Sequence, residues 1–272
     1  MKNFNGKVAV ITGAGSGLGR ALAVQLYQAG ARLALCDLNL PGLEATRQLT
    51  GVHSERVSLH RVDVSSRAEM LQFADEVLAQ HGQVDLLINN AGVSLTPALF
   101  DEISDENFEK VININLWGVY NGTRAFLPHL RTRPEASLVN ISSLAGLVGL
   151  YGYSPYAMSK FAVRGLTETL QSELVGTGVT VLGVHPGGIK TNIIKNAPNL
   201  QENEREAAHA AFSRFALLEA DQAARQILRA VQQKRYRLIL GADAKLVNGL
   251  RQVFSGNFPV IIQAIFSKSL FK

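Results

Sequence analysis

Residues 8–19 read V-A-V-I-T-G-A-G-S-G-L-G: a strand-like apolar run stops in a glycine-rich turn and leads straight into the amphipathic stretch Gly17 to Gln28. The turn does not fit G-x-G-x-x-G from either Gly13 or Gly15. It fits G-x-x-x-G-x-G through Gly13, Gly17 and Gly19. Glycines at these places allow a tight turn and a close backbone approach to a pyrophosphate, whose charge is favoured at the amino end of the next helix. A turn of this composition also occurs as a plain β-α connection, so the rest of the chain must decide its meaning.

Outward from this stretch the same unit repeats. Arg32 to Asp37 is followed by Leu40 to Leu49, Val57 to Val62 by Ser66 to Gln80, and Val84 to Asn89 by a helical run from about Asp105 to Leu130. Ser137 to Ile141 then precedes Ser154 to Leu174, with a last apolar run at Val179 to Val184. Alternation of short apolar runs with amphipathic ones predicts an α/β fold, a doubly wound parallel sheet with helices on both faces. Right-handed crossovers place the loops that follow the strands along one edge, and ligands are expected there. No internal repeat, low-complexity stretch or linker divides the first 190 residues. The expected organisation is one domain: a dinucleotide-binding and catalytic core over 1–192, a lid over 193–218, and a closing helix, strand and amphipathic tail over 219–272.

At 47% apolar and 18% charged residues, the composition is that of a folded chain and excludes a disordered one. Cys36 is the single cysteine, so no internal disulfide can form, and it is expected as a small buried strand residue. No signal-peptide core precedes Val8 and no run approaches 18 uninterrupted apolar residues, so a cytoplasmic location is expected. The net charge of +5 is unevenly placed: from Gln222 onward nine Lys or Arg face the single acid Asp243, leaving the first 221 residues at about −3. No nucleic-acid-binding signature accompanies that charge, and nucleic acid is not an expected partner. His53, His60, His81, His129, His185 and His209 lack metal-ligand spacing, and no metal is expected.

Two further positions carry chemistry. Asp37 ends the second strand eighteen residues after Gly19, where a carboxylate accepts hydrogen bonds from ribose hydroxyls and repels a 2′-phosphate. Neither Ser16 nor Leu38 supplies a cation for such a phosphate, which favours NAD over NADP. Among the three tyrosines of Y-G-Y-S-P-Y-A-M-S-K (151–160), only Tyr156 has a lysine, Lys160, one helical turn further on. Pro155 suits the first turn of a helix, with Ser154 as the expected N-cap.

With these elements in order, the sequence resembles the short-chain dehydrogenase/reductase family over about residues 5–192. The resemblance rests on T-G-A-G-S-G-L-G (12–19), D-V (63–64), N-N-A-G (89–92), I-N-L-W-G (114–118), I-S-S (141–143), Y-A-M-S-K (156–160) and P-G-G-I-K-T (186–191). It implies Tyr156 as general acid/base, with Lys160 and the nicotinamide charge lowering its pKa. It further implies Ser143, thirteen residues before the tyrosine, as the group that positions the substrate oxygen, with Ser142 a lesser candidate. Asn115 is implied, ahead of Asn113, as the holder of a proton-relaying water. Cofactor contacts implied by the resemblance are Gly13, Ser16, Gly17, Leu18 and Gly19 in the turn, Asp37 at the ribose, and Asp63 and Val64 at the adenine. Asn90, Ala91 and Gly92 follow on the ribose side, with Pro186, Gly187, Ile189 and Thr191 at the carboxamide end, beside Tyr156 and Lys160.

The chain departs from the family after the sixth helix, where the D-G-G ending associated with a tetramer is missing, so a homodimer is expected instead. Phe258, Ile261, Ile262, Ile265, Phe266 and Leu270 fall on one helical face near Lys268 and Lys272. That face could rest peripherally on an anionic membrane, pack on its own subunit or cover the substrate cleft. Ile193, Ile194, Ala197, Leu200, Phe212, Phe215, Leu217 and Leu218, with Leu144, Leu147, Val148 and Leu150, suggest an apolar pocket. The expected reaction is therefore hydride transfer between NAD(H) and a hydrophobic secondary alcohol or ketone. The alternatives are a 3-oxoacyl-type ketoreductase using NADPH and, from another class, a non-catalytic NAD(H)-sensing regulator.

Overall fold

The structure, a computed structural model, describes residues 1–51, 55–254 and 256–270, with side chains at all of these except 215 and 265–270. His53, Lys272 and the side chains of Phe215, Ile265, Phe266, Lys268 and Leu270 thus lie outside the described residues. In chain order the elements begin β1 (Val8–Thr12), α1 (Gly17–Gln28), β2 (Arg32–Asp37), α2 (Leu40–Leu49), β3 (Val57–Arg61), α3 (Arg67–His81) and β4 (Leu86–Asn89). They continue with α4 (Asp105–Ile112), α5 (Gly118–Arg131), β5 (Ala136–Ile141), α6 (Ser154–Glu173) and β6 (Val179–Pro186). The chain closes with β7 (Ile189–Lys190), α7 (Arg205–Phe215), β8 (Leu218–Glu219), α8 (Ala220–Gln232), β9 (Arg237–Leu240), α9 (Ala242–Val253) and α10 (Phe258–Leu270).

Seven of these strands form one parallel sheet in the order β3-β2-β1-β4-β5-β6-β9, the expected doubly wound arrangement. The central strands are buried on both faces, which is why β1 reads as an apolar run up to Thr12, while β5 keeps Ser137 and Asn140 buried among its apolar residues. On one face, Leu22 and Leu26 of α1 and Ile227 of α8 pack on Ile11, Leu33 and Ile88. On the other, Phe73, Phe126 and Leu170 from α3, α5 and α6 pack on Val10, Leu87 and Leu138, the two phenyl rings meeting edge to face at 5.4 Å. The chain leaves β1 toward β2 and β3, then returns to place β4 on the other side of β1. The carboxyl ends of β1 and β4 therefore flank the switch point at which such sheets hold ligands.

Three local expectations need correction. The run from Asp105 to Leu130 is not one regular helix: a π turn over Asn113–Trp117 joins α4 to α5. Ser154 is not the cap of α6, because Tyr153 takes the cap position and Ser154 lies within the first turn, its hydroxyl without a hydrogen-bond partner. The strand expected from Val84 starts at Leu86. Just before it, the buried Asp85 accepts from the Val8 N–H at 3.0 Å, Gln83 Nε2 at 2.9 Å and Arg133 Nε at 3.0 Å, with Lys7 Nζ at 3.5 Å.

The tail folds back on its own chain at its start. Phe258 and Ile262 are buried with Ala244 of α9 against Leu144, Leu147 and Val148, the loop that follows β5. No helix among the described residues is long and apolar enough to cross a membrane.

Asp85 joins the starts of β1 and β4 to the approach to β5. Replacing it with Ala strands the Val8 N–H and removes the partner of two cations, so Asp85→Ala should lower the unfolding free energy by about 3 kcal/mol in urea titrations. A loss under about 1 kcal/mol would contradict this role.

Candidate active site

The crevice at the switch point is laced shut at its base by one hydroxyl. Thr12 Oγ1, buried at the end of β1, accepts the backbone N–H groups of both Asn90 and Ala91 at 3.0 Å. The Asn90 amide returns the bond, donating to the carbonyls of Thr12 at 2.9 Å and Gly13 at 3.1 Å. The glycines above it are there for space. Gly13 has φ +66°, and a methyl at Gly19 would collide with the Gly13 carbonyl. This open floor, with the amino end of α1 pointing into it, fits a dinucleotide's pyrophosphate on chemistry and room alike. Ser16 stands at the cap of α1 with no side-chain cap bond, and Leu18 is buried under the turn.

At the far side of the turn, Asp37 accepts the Gly15 N–H at 2.9 Å and the Asn39 N–H at 3.0 Å. Its carboxylate is thereby fixed and half-buried, facing the space beyond Gly15. Arg20 lies close by, but its guanidinium is held by the Gly15 carbonyl, the Gly42 carbonyl at 3.2 Å and the Thr46 hydroxyl at 3.0 Å. Asp63 sits on the neighbouring loop, since the Val62 N–H reaches the Asp37 carbonyl at 3.3 Å. The Asp63 carboxylate is occupied by Ser65, through its N–H at 2.9 Å and its hydroxyl at 2.7 Å. Val64 is buried, and its carbonyl is held by Asn121 at 3.0 Å.

Ser143, Tyr156, Lys160 and Asn115 come together beyond the ends of β4 and β5. Tyr156 and Lys160 stand one turn apart on α6, with Lys160 Nζ 5.7 Å from the phenol ring centre. Ser143 shares a hydrogen bond with the Tyr156 hydroxyl and also takes the Ala145 N–H at 3.1 Å. Ser142 is turned the other way, donating to the Lys160 carbonyl at 2.9 Å, which leaves Ser143 as the serine of the cluster. Asn115 is buried inside the π turn while Asn113 is exposed. The Asn115 side chain accepts the Val93 N–H at 2.8 Å and donates to the Val93 carbonyl at 2.9 Å and to Ser159 Oγ at 3.2 Å. A methyl at Gly92 would lie 3.1 Å from Asn115 Oδ1 and 3.4 Å from Lys160 Nζ, so those two groups border one small space.

Burial dominates the electrostatics. It raises the Tyr156 phenol above its usual value, and the Ser143 hydrogen bond pulls it back. It also holds Lys160, 3% exposed, down at about 8, although Nζ keeps a bond to the Ile141 carbonyl at 3.1 Å. In the protein by itself desolvation therefore leads at Tyr156, and the pull that lowers the phenol comes from Ser143. Burial also pushes the Cys36 thiol up and Tyr153 to about 12, and holds His185 at about 4 with help from Arg237.

The segment after β6 closes the other wall. Thr191 lies over Gly17, where a methyl would be 3.1 Å from Thr191 Cβ, and Ile189 is buried in the strand that pairs with β8. Residues between these two short strands are the segment expected as a lid, and Asn199 fastens it to the loop after β4, bonding the N–H of Thr96 at 3.0 Å and its hydroxyl at 2.7 Å. Leu147 and Val148 do not face an open pocket as expected, because they are fully buried against the tail. Ile193, Leu200, Phe212 and Leu150 remain partly exposed. Sequence reasoning missed Thr12, Ser159 and Asn199. Thr12 and Ser159 stood inside quoted motifs, whereas Asn199 carries no local signal. Among the described residues no cluster of His, Cys, Asp or Glu could hold a metal ion.

Comparison with known proteins bears directly on this geometry. The sequence model described as short chain dehydrogenase matches residues 7–202. A Mycobacterium tuberculosis protein bearing the name oxidoreductase SadH is 40% identical over 272 residues, covering 98% of each chain. A 3-oxoacyl-[acyl-carrier-protein] reductase of Thermotoga maritima is 34% identical over 75% of this chain and 82% of its own. A solved short chain dehydrogenase/reductase from Burkholderia phymatum, in complex with NAD, superposes with a TM-score of 0.85 at 32% identity over 96% of both chains.

Lys160 ties this site to stability. Its folded pKa near 8 lies below the ordinary 10.5, so between those values the folded chain holds fewer protons than the unfolded one and stability rises with pH. Lys160→Met should stabilise the chain at pH 7 by on the order of 2 kcal/mol, less any cost of the unpartnered Ile141 carbonyl. In urea titrations the gain should shrink from pH 8 to 10.5; a variant less stable than wild type throughout would contradict it.

Proposed function

We propose that this chain, which belongs to the short chain dehydrogenase family, is an NAD-dependent oxidoreductase acting on a hydrophobic secondary alcohol or the corresponding ketone. The observation that carries the reading is the convergence of Ser143, Tyr156, Lys160 and Asn115 beside a glycine-floored crevice at the sheet's switch point. A protein that only sensed the cofactor would have no use for a buried lysine behind a serine-bonded phenol, which argues against the regulator.

The roles follow from position. Ser143 and Tyr156 would both hydrogen-bond the substrate oxygen, on which charge changes during the reaction. Tyr156 would exchange the hydroxyl proton with that oxygen, and Lys160 would favour the phenolate by charge. The space shared by Lys160 Nζ and Asn115 Oδ1 is where a water could carry the proton onward. Bound NAD would supply the hydride acceptor and, in its oxidised form, a positive ring to offset the burial that raises the phenol. Gly13, Ser16, Gly17, Leu18 and Gly19 would hold the pyrophosphate, Asp37 the adenosine ribose, and Asp63 and Val64 the adenine. Asn90, Ala91 and Gly92 would line the crevice, with Pro186, Gly187, Ile189 and Thr191 at the carboxamide end.

Asp37 supports NAD over NADP, because a 2′-phosphate would meet a fixed carboxylate while the neighbouring Arg20 is engaged by three oxygens. The ketoreductase reading keeps some standing from the Thermotoga maritima relative, whose name gives it a 3-oxoacyl substrate. The partly exposed Ile193, Leu200, Phe212 and Leu150 support an apolar substrate in either case.

Assayed on secondary alcohols from small polyols to steroids, the protein should turn over apolar members with NAD. Asp37→Ser should reduce the preference for NAD over NADP at least tenfold; a wild type that prefers NADP overturns the cofactor reading. Tyr156→Phe should lower kcat by at least a thousandfold while NADH still binds. In wild type, alcohol oxidation should rise with pH as Tyr156 loses its proton, and a flat profile would count against the phenol as base.

A further inference from the structure

We propose that Asp243 is a positioning residue for the carboxamide end of the cofactor site, so that the C-terminal extension sets the geometry there together with the sheet. The inference rests on the NAD reading above. Asp243 is the single acid among the nine Lys or Arg that follow Gln222, and its carboxylate reaches the backbone of the turn after β6. One oxygen accepts the Gly188 N–H at 2.8 Å. The other is buried without a hydrogen-bond partner. The fit is close: a methyl at Gly187 would collide with this carboxylate, and so would one at Gly241, where φ is +94°.

The turn that follows β6 is thus gripped twice by the extension. The Gly187 N–H is taken by the Leu240 carbonyl at 2.9 Å, and the next N–H, that of Gly188, by Asp243. Directly after it come Ile189, paired with Leu218, and Thr191, which packs over Gly17. A shift of the Gly187–Gly188 peptide therefore moves Ile189 and Thr191, two of the residues assigned to the carboxamide end. A carboxylate suits the task because Asp243 lies in the first turn of α9, where the helix end favours negative charge, and because an ionised acceptor holds an amide more firmly than a neutral one. α9 is itself anchored, with Ala244 buried beside Leu147 and Val148 and with Arg251 donating to the Leu147 carbonyl, so the carboxylate is presented from a fixed support.

The test is binding of NADH and of ADP-ribose, which lacks the nicotinamide, to full-length wild type and variants by fluorescence and calorimetry. Asp243→Ala should weaken NADH about tenfold, the ratio equivalent to 1.4 kcal/mol, and leave ADP-ribose within twofold. Asp243→Asn keeps an acceptor oxygen and should bind NADH within about threefold of wild type. If Asp243→Ala does not fold, Gly187→Ala presses on the same contact from the opposite side and should give the same split. NADH affinity unchanged in Asp243→Ala and Gly187→Ala, or equal losses for the two ligands, would overturn the proposal. Wild type that binds neither ligand would instead sink the cofactor reading on which it rests.

Discussion

The hydroxyl of Thr12 is the constraint on which the rest of the site depends. In a parallel sheet every strand end is a place where the hydrogen-bond ladder stops and backbone groups need new partners. Here the ends of β1 and β4 solve that problem jointly: Thr12 Oγ1 takes two N–H groups from the neighbouring strand's loop, and Asn90 closes the exchange. The gap between the two loops is then fixed in width. Gly92 and Val93 are carried into register with Asn115 by the same lacing, since the Val93 backbone is where the Asn115 side chain docks.

From that docking a continuous chain of contacts runs to the groups proposed to react. Asn115 reaches Ser159, whose hydroxyl bonds the Tyr156 carbonyl at 2.7 Å, and α6 carries Tyr156 and Lys160 as one rigid unit. The π turn has a physical purpose in this chain. One extra residue in the helical path turns Asn115 inward where a regular helix would have continued its surface pattern, a local distortion that often accompanies functional positions. The cost falls on Lys160, an ammonium held in a dry place by a single carbonyl. Stability and chemistry thus pull in opposite directions at this residue.

Much of the architecture was legible because parallel strands buried on both faces write themselves as largely apolar runs, and α1, β2 and α2 have the expected limits. What the pattern could not convey has specific causes. A π turn differs from an α helix by one residue per turn, which a 3.6-residue periodicity does not resolve over five positions. Ser154 reads as a cap by residue type, yet Tyr153, at φ −120° and ψ 35°, leaves the extended chain first. Leu147 and Val148 read as pocket residues because apolarity alone does not name the surface that covers it; the cover is Phe258 and Ile262, more than a hundred positions away. The paired roles of Ser142 and Ser143 required geometry, since adjacent serines on an extended segment point to opposite sides.

The pairing of β7 with β8 has a consequence for how such a protein can diversify. Ile189 and Leu218 are neighbours in space, and Lys190 and Glu219 reinforce the pair, so the intervening segment begins and ends at one stapled point. Closing a longer or shorter loop between fixed ends changes the free energy only slowly, by about 0.6 kcal/mol per doubling of length. Past Thr191, which packs over Gly17, the segment is in effect an exchangeable cassette: insertions, deletions and replacement there would leave the sheet, the crevice floor and the Ser143, Tyr156, Lys160 and Asn115 cluster untouched. If the segment governs admission as proposed, selection can rewrite which molecules enter without rebuilding the cluster beside it.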